Sequence, residues 1–240
     1  MPATHAAMRV LAVRVGLPRT FGGSGSGEPA GAAWTTGAFK EPVSGPVRLG
    51  ALNLAGDGQA DLENHGGADK AVCAYPFEHY VRWQDELGIA ALRDGGFGEN
   101  FTTAGQLEAD VCIGDVFEIG TALVQVSQPR QPCWKLPRRW NVPDLALRVQ
   151  QTGRTGWYFR VLREGEVEAG LSLVLIDRPC PEWTVGAANQ VMHLRKRDLA
   201  AARALAACPA LSTRWRDRLA RRASGAAAAS TSERLGGPKG

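Results

Sequence analysis

The stretch QPRQPCWKLPRR, residues 128–139, holds the residue types from which a reactive thiol is built. Cys133 follows a strand-like run and stands between Pro132 and Trp134, with Pro129 and Pro137 close by. Prolines restrict the backbone, so the sulfur is expected on a stiff loop rather than inside a strand or helix. Arg130, Lys135, Arg138 and Arg139 surround it. Positive charge lowers a thiol pKa and favours thiolate, the form that acts as nucleophile or metal ligand. The same features also describe a buried structural cysteine beside solvated basic side chains, and spacing alone leaves both readings open.

A second cluster is HGGADKAVCAYP, residues 65–76. His65 precedes Gly66 and Gly67, whose small size lets backbone N–H groups come close to a ligand, and Lys70 can add a point charge for an oxyanion or phosphate. A turn histidine that stabilises its own loop fits the pattern as well. Cys73, within the apolar run AVCAY, reads as strand core. The third cluster is GFGENFT, residues 96–102, where Glu99 and Asn100 offer an acceptor and an amide to the edge of a heterocycle, or else form an ordinary Asn/Gly turn. His79 has no HxxxH or HxxEH companion and is expected to make a structural hydrogen bond. The nucleophile elbow, the Walker phosphate loop and the dinucleotide fingerprint are all absent from the sequence.

Elements that position these clusters can be read from hydrophobic period and turn chemistry. MRVLAVRV (8–15) is valine-rich and short, a strand. VRLGALNL (47–54) reads as strand and turn. Phe77, Tyr80, Trp83, Gln84 and Leu87 recur at helical spacing, so a short amphipathic helix is expected over 77–87. Residues 115–129 read as a hairpin turning at Gly120-Thr121, and 158–178 as a second hairpin at Glu164-Gly165 with a further strand. Many short strands, glycine turns and one or two helices suggest a mainly β domain with α, either β-barrel-like or α+β, over residues 8–180. From Pro181 the pattern turns helical. Thr184 and Asp198 are placed as caps, and Leu211, Trp215 and Leu219 fall at i, i+4, i+8, giving three short helices over 181–223. Residues 1–7 read as a disordered leader, and 224–240, rich in Ala, Ser and Gly, as a disordered tail.

The 240 residues are enough for one ordinary domain plus a small second one. The longest apolar runs are too short to cross a bilayer. Arg9 and Arg14 interrupt the first of them, which argues against a signal peptide and for a cytoplasmic protein. The five cysteines (73, 112, 133, 180 and 208) form no CxxC pair and are expected as free thiols. Residues 195–222 hold nine Arg or Lys against Asp198 and Asp217, so the remainder of this +4 chain is slightly acidic. A solvated basic helix face explains that better than nucleic-acid binding.

The runs GDGQAD, HGGADKAVCAYPFEHYVRW, GFGENFT, GDVF, VQVSQPRQPCWKL and TGRTGWYFRVL occur here in an order and spacing that resembles the MOSC (molybdenum cofactor sulfurase C-terminal) family. The likeness is to its bacterial YiiM-like branch, proteins linked to resistance to 6-N-hydroxylaminopurine, and extends over about residues 9–222. It implies a MOSC-type β-barrel core with a C-terminal three-helix bundle, and a bound molybdenum cofactor (Mo-molybdopterin). By the same resemblance Cys133 is the catalytic residue and the metal ligand. His65, Gly66, Gly67, Lys70, Glu99, Asn100, Arg130 and Lys135 are then expected around the cofactor. The implied reaction is reduction of an N-hydroxylated small molecule, with electrons from a separate flavin or iron–sulfur protein. A sulfur carrier or cofactor-handling protein, with a persulfide on Cys133 supplied by a pyridoxal-phosphate-dependent desulfurase, is the alternative.

Overall fold

The structure, a computed structural model, describes residues 7–22, 33–226 and 232–237. Seven strands form its centre: β1 (Met8–Val15), β2 (Val72–Pro76), β3 (Phe101–Ala104), β4 (Val116–Ile119), β5 (Ala122–Pro129), β6 (Trp157–Arg163) and β7 (Ser172–Asp177). Their order is β7-β4-β5-β6-β2-β3-β1, and β1 returns to β7 through Met8↔Leu173, which closes the barrel. Closure gives each of the seven a partner on both sides, so none is an edge strand that could template aggregation. All pairings are antiparallel except β2 with β3. A parallel pair needs a crossover, and the chain between them supplies α2 (Glu78–Leu87).

Side-chain alternation builds the core. On β1, Met8 and Val10 point inward between exposed Arg9 and Leu11, and a bulge after Val10 resets the phase so that Val13 is also buried. Ala122, Val124, Val126, Trp157 and Phe159 fill the interior from β5 and β6. The β4–β5 hairpin turns at Gly120-Thr121 as its sequence suggests, with Ile119 paired to Ala122. Gly120 has φ +56°, and a Cβ there would lie 2.2 Å from the Glu166 carbonyl oxygen, so glycine is required.

The expected second hairpin does not form. Gly165–Val167 pairs with Val47–Leu49 instead of folding back on β6. Glu164 takes part in that outside contact, accepting from Arg48 Nη2 at 2.8 Å and from the Ala51 N–H at 3.2 Å. Thus a Glu-Gly pair with the composition of a tight turn marks the point where the chain leaves one sheet for another.

Helix α1 (Leu62–His65) precedes β2. Helix α2 buries His79, Tyr80 and Trp83 and stops at Gly88, which takes the left-handed conformation that ends many helices. His79 is structural as expected, with Nε2 2.8 Å from Glu108 Oε2. Two further helices, α3 (Lys135–Trp140) and α4 (Leu145–Thr152), were not foreseen from the sequence. Pro137 argues against a helix there, yet it lies in the first turn, where its missing N–H costs no intrahelical bond. These helices cover a second apolar cluster of Tyr75, Tyr80, Trp83, Leu92, Phe97, Leu136, Leu145 and Val149.

The C-terminal helices are α5 (Val185–Asn189), continued by a π turn over Gln190–Leu194, α6 (Leu199–Ala206) and α7 (Thr213–Ala223). Thr184 Oγ1 accepts from the Ala187 N–H and Asp198 Oδ1 from the Ala201 N–H, which are the two caps anticipated. Val185, Ala188, Val191, Leu205, Trp215 and Leu219 belong to the same continuous core as the barrel interior. The tail differs from its sequence reading, because Ser232–Gly236 forms a short helix, α8. The leader expected over 1–7 lies, apart from residue 7, outside the described residues. Among the described residues, no helix is long and apolar enough to cross a membrane.

His193, on the π turn, is buried with its ring edge-on to Trp215 at 6.0 Å. Burial, aided by Arg234, Arg218, Lys196 and Arg222, pushes its pKa down to about 3. The unfolded chain protonates this residue near the ordinary histidine value of about 6.5, whereas the folded protein keeps it neutral. Its contribution to stability is therefore full above about pH 6.5 and is lost as pH falls toward 3, by up to about 1.4 kcal/mol per pH unit. Urea midpoints at pH 7, 6 and 5 should fall less steeply for His193→Gln than for the parent chain. Equal slopes would refute this account.

Candidate functional site

A cleft of about 700 Å³, its open mouth included, lies where the Cys133 loop, α1, the start of α3 and the 96–100 loop meet. Lys40, Lys70, Arg130, Lys135 and Arg139 line it, against one lining carboxylate among the described residues, Asp61. The excess of cations over carboxylates on its walls selects an anion.

Cys133 is on the wall of this cleft, half-buried, on an irregular loop between β5 and α3, as its prolines suggest. Burial alone would push its thiol up. A hydrogen bond to His65, that ring's charge, the backbone N–H of Lys135 and the nearby Arg130 outweigh it and bring the pKa down to about 7. The other cysteines go the opposite way where a shift is resolved: burial holds Cys73 and Cys112 at about 11 and Cys180 at about 12. Iodoacetamide at pH 7 should therefore alkylate Cys133 first, with a rate that rises through pH 7 and levels off above it. Peptide mapping that finds Cys73 or Cys112 labelled as fast as Cys133 would contradict this ordering.

Arg130 reaches into the site from the end of β5. Its Nη2 donates to the Phe97 carbonyl at 2.7 Å, while the buried Nη1 has no hydrogen-bond partner among the described residues. A buried, unpaired guanidinium N–H is costly, so it marks a place for an acceptor from outside. Lys70 Nζ donates to the Asn64 carbonyl at 2.8 Å, and burial with Arg214 nearby lowers its pKa. Lys135, the first residue of α3, lines the mouth.

Four expected site residues have other duties. The Gly66 N–H donates to the Leu62 carbonyl and ends α1, and neither Gly66 nor Gly67 lines the cleft. The two glycines serve local geometry instead. A Cβ on Gly66 would meet the Leu62 oxygen at 2.8 Å, and Gly67 has φ +91°. Glu99 is fully buried and does not line the cleft; its Oε1 accepts from Tyr80 Oη, the Gly95 N–H and Thr102 Oγ1. Asn100 does line the cleft, yet its amide is committed to the wall. Nδ2 donates to Arg14 O and Asp57 Oδ2, and Oδ1 accepts from the Cys73 N–H.

The sequence reading missed Lys40, Asp57, Arg139 and Tyr158. Lys40 and Asp57 form a buried ion pair, and Asp57 Oδ1 also accepts from the Gly16 N–H at 3.0 Å. Arg139 donates to the Ala38 and Gly95 carbonyls and lies over the Phe39 ring, 4.4 Å from its centre. No local pattern could have found Lys40, which is brought to the cleft by the pairing of Glu41–Pro42 with the end of β1. Arg139 had a signal in the basic run after Cys133, but which member of that run turns inward depends on α3.

A family model described as the MOSC domain matches residues 61–174, and one described as the YiiM-like three-alpha-helix domain matches 183–225. The Bacillus subtilis protein YflK is 47% identical over 207 residues, 86% of this chain and 90% of that one. A Gibberella moniliformis protein named "Reductase" is 38% identical over 168 residues, 69% of this chain and only 30% of its own length. The crystal structure of YiiM from Geobacillus stearothermophilus superposes with a TM-score of 0.75 at 39% identity, covering 90% of this chain and 99% of that one. A thiol poised to ionise in a basic cleft, a seven-stranded closed barrel and three helices after it thus occur together in a chain that belongs to the MOSC family, in its YiiM-like group.

Proposed function

We propose that this protein is a molybdenum-cofactor-dependent reductase of N-hydroxylated small molecules, 6-N-hydroxylaminopurine among them, with Cys133 as the protein's ligand to molybdenum. The observation that supports it most is the pairing of a readily ionised Cys133 with a buried Arg130 Nη1 that has no partner among the described residues, in one cation-lined cleft. Among the described residues no group of three His, Cys, Asp or Glu could hold an ion by itself. A metal at Cys133 must bring its other ligands with it, and a sulfur-rich pterin does so; soft thiolate suits such a metal.

When bound, the molybdenum–pterin group supplies the two-electron chemistry by which R–NHOH, two electrons and two protons become R–NH₂ and water. The protein's part is to bind and orient. Arg130, Lys70 and Lys135 would neutralise the pterin phosphate, with Arg139 extending the positive wall. His65, hydrogen-bonded to the sulfur, holds Cys133 as thiolate. Electrons come from a separate flavin or iron–sulfur protein in the cytoplasm. The arginines of α7 offer that donor a basic approach beside α1, where Arg214 Nη1 donates to the Glu63 carbonyl at 2.6 Å.

The test is the metal and pterin content of protein made in a host that synthesises molybdopterin. Stoichiometric molybdenum with pterin, and reduction of 6-N-hydroxylaminopurine by chemically reduced protein, are expected. A metal-free protein carrying a persulfide on Cys133 would favour sulfur transfer and overturn the reductase reading.

A further inference from the structure

Residues 232–237 come back to the Cys133 loop from about a hundred residues further along the chain. The Trp134 N–H donates to the Arg234 carbonyl at 2.7 Å. The same residue's guanidinium donates through Nη1 to the Pro132 carbonyl and through Nη2 to Gln150 Oε1 on α4. A Cβ placed on Gly237 would lie 3.3 Å from the Trp134 ring, so the strand of chain after α8 rests on that indole.

The pattern has a simple geometric meaning. The Pro132 carbonyl belongs to the peptide plane before Cys133, and the Trp134 N–H to the plane after it. Peptide planes are rigid, so the only soft backbone variables at Cys133 are the two torsions between these planes. Arg234 grips one plane with its side chain and the other with its backbone. Both torsions are then set, and with them the direction in which the Cα–Cβ bond projects the sulfur. Gln150 ties the clamp to a helix packed on the second apolar cluster. Arg234 does not itself line the cleft.

We propose that Arg234 is a positioning residue for Cys133, one that fixes the loop so that its sulfur faces the cleft. The proposal rests on the reading of Cys133 as the metal's ligand. It assigns work to a segment beyond residue 225, where the match to the three-helix family model ends. Arginine suits the task because its planar fork serves two acceptors in fixed directions, whereas a lysine serves one acceptor through a flexible stem.

The full chain should be compared with Arg234→Ala, Arg234→Lys and a chain ending at Gly225, all made in a molybdopterin-producing host. Hydrogen–deuterium exchange at the Trp134 amide, molybdenum and pterin content, and melting temperature are read for each. In the truncated chain, exchange at Trp134 should quicken by about 5- to 30-fold while the barrel strands keep their protection. Cofactor affinity should drop by about 10–100-fold, as when other supporting residues of metal sites are lost. Arg234→Ala should follow the truncation, and Arg234→Lys should fall between it and the parent. Unchanged exchange at Trp134 in the truncated chain would overturn the clamp. Faster exchange with undiminished cofactor content would overturn its positioning role, as would Arg234→Lys behaving like Arg234→Ala. A parent chain without molybdenum and pterin would instead sink the functional reading, and the exchange data from the same samples would still decide whether the clamp exists.

Discussion

Cys133→Ser should leave a folded protein with no measurable reduction of N-hydroxylated substrate and no retained molybdenum. The substitution removes one atom of suitable softness and replaces it by a hydroxyl that stays protonated at neutral pH. His65, Arg130 and Lys135 remain, so the cleft keeps its shape and charge. Residues that merely support a metal ligand cost about 10–100-fold when removed, and loss of the ligand itself should exceed that range. Cys73→Ser is the matching control. Cys73 is buried in β2 at the back of the cleft, with its thiol at about 11, so this change should cost packing and little turnover. Elemental analysis and an assay with dithionite-reduced protein check both. Undiminished turnover by the Cys133→Ser chain would remove the thiolate from the mechanism.

Asp57→Ala should be the most destabilising single change near the site. Asp57 is fully buried and serves three donors at once: Lys40, the Gly16 N–H and Asn100 Nδ2. Truncating it strands the Lys40 ammonium in a place that water reaches poorly. Breaking one partner out of a buried pair costs about 3–5 kcal/mol, which for a chain of this size lowers the melting temperature by roughly 6–20 °C. The double variant Lys40→Met/Asp57→Leu, which removes both charges, should recover much of that loss. Calorimetry on the two variants decides. A single variant within about 1 kcal/mol of the parent would mean that solvent or a rearranged side chain satisfies Lys40.

Much of this was legible in the residues. The three C-terminal helices could be read because Thr184, Asp198 and the Leu211–Trp215–Leu219 stripe act through local geometry, which a sequence displays directly. Cys133 could be singled out because its prolines and basic neighbours are adjacent in the chain. Glu99 could not be placed, since a carboxylate in a glycine loop reads the same whether it faces a ligand or, as here, Tyr80 and Thr102 in the interior. Lys40 escaped because it meets Asp57 and the cleft only through the pairing of Glu41–Pro42 with the end of β1. Residues 232–237 escaped a reading by composition: alanine, serine and glycine dominate the tail, and a single Arg234 with three hydrogen-bonded contacts orders this segment locally.

The barrel interior and the C-terminal helices share one hydrophobic core. The helices therefore cannot be dispensed with as an independent accessory. A chain cut after Cys180 would lose Val185, Ala188, Leu205, Trp215 and Leu219 from this core, leave its remainder open to water, and be an aggregation-prone fragment rather than a smaller catalyst. Natural shuffling or laboratory grafting of this barrel has to carry its helical wall along with it.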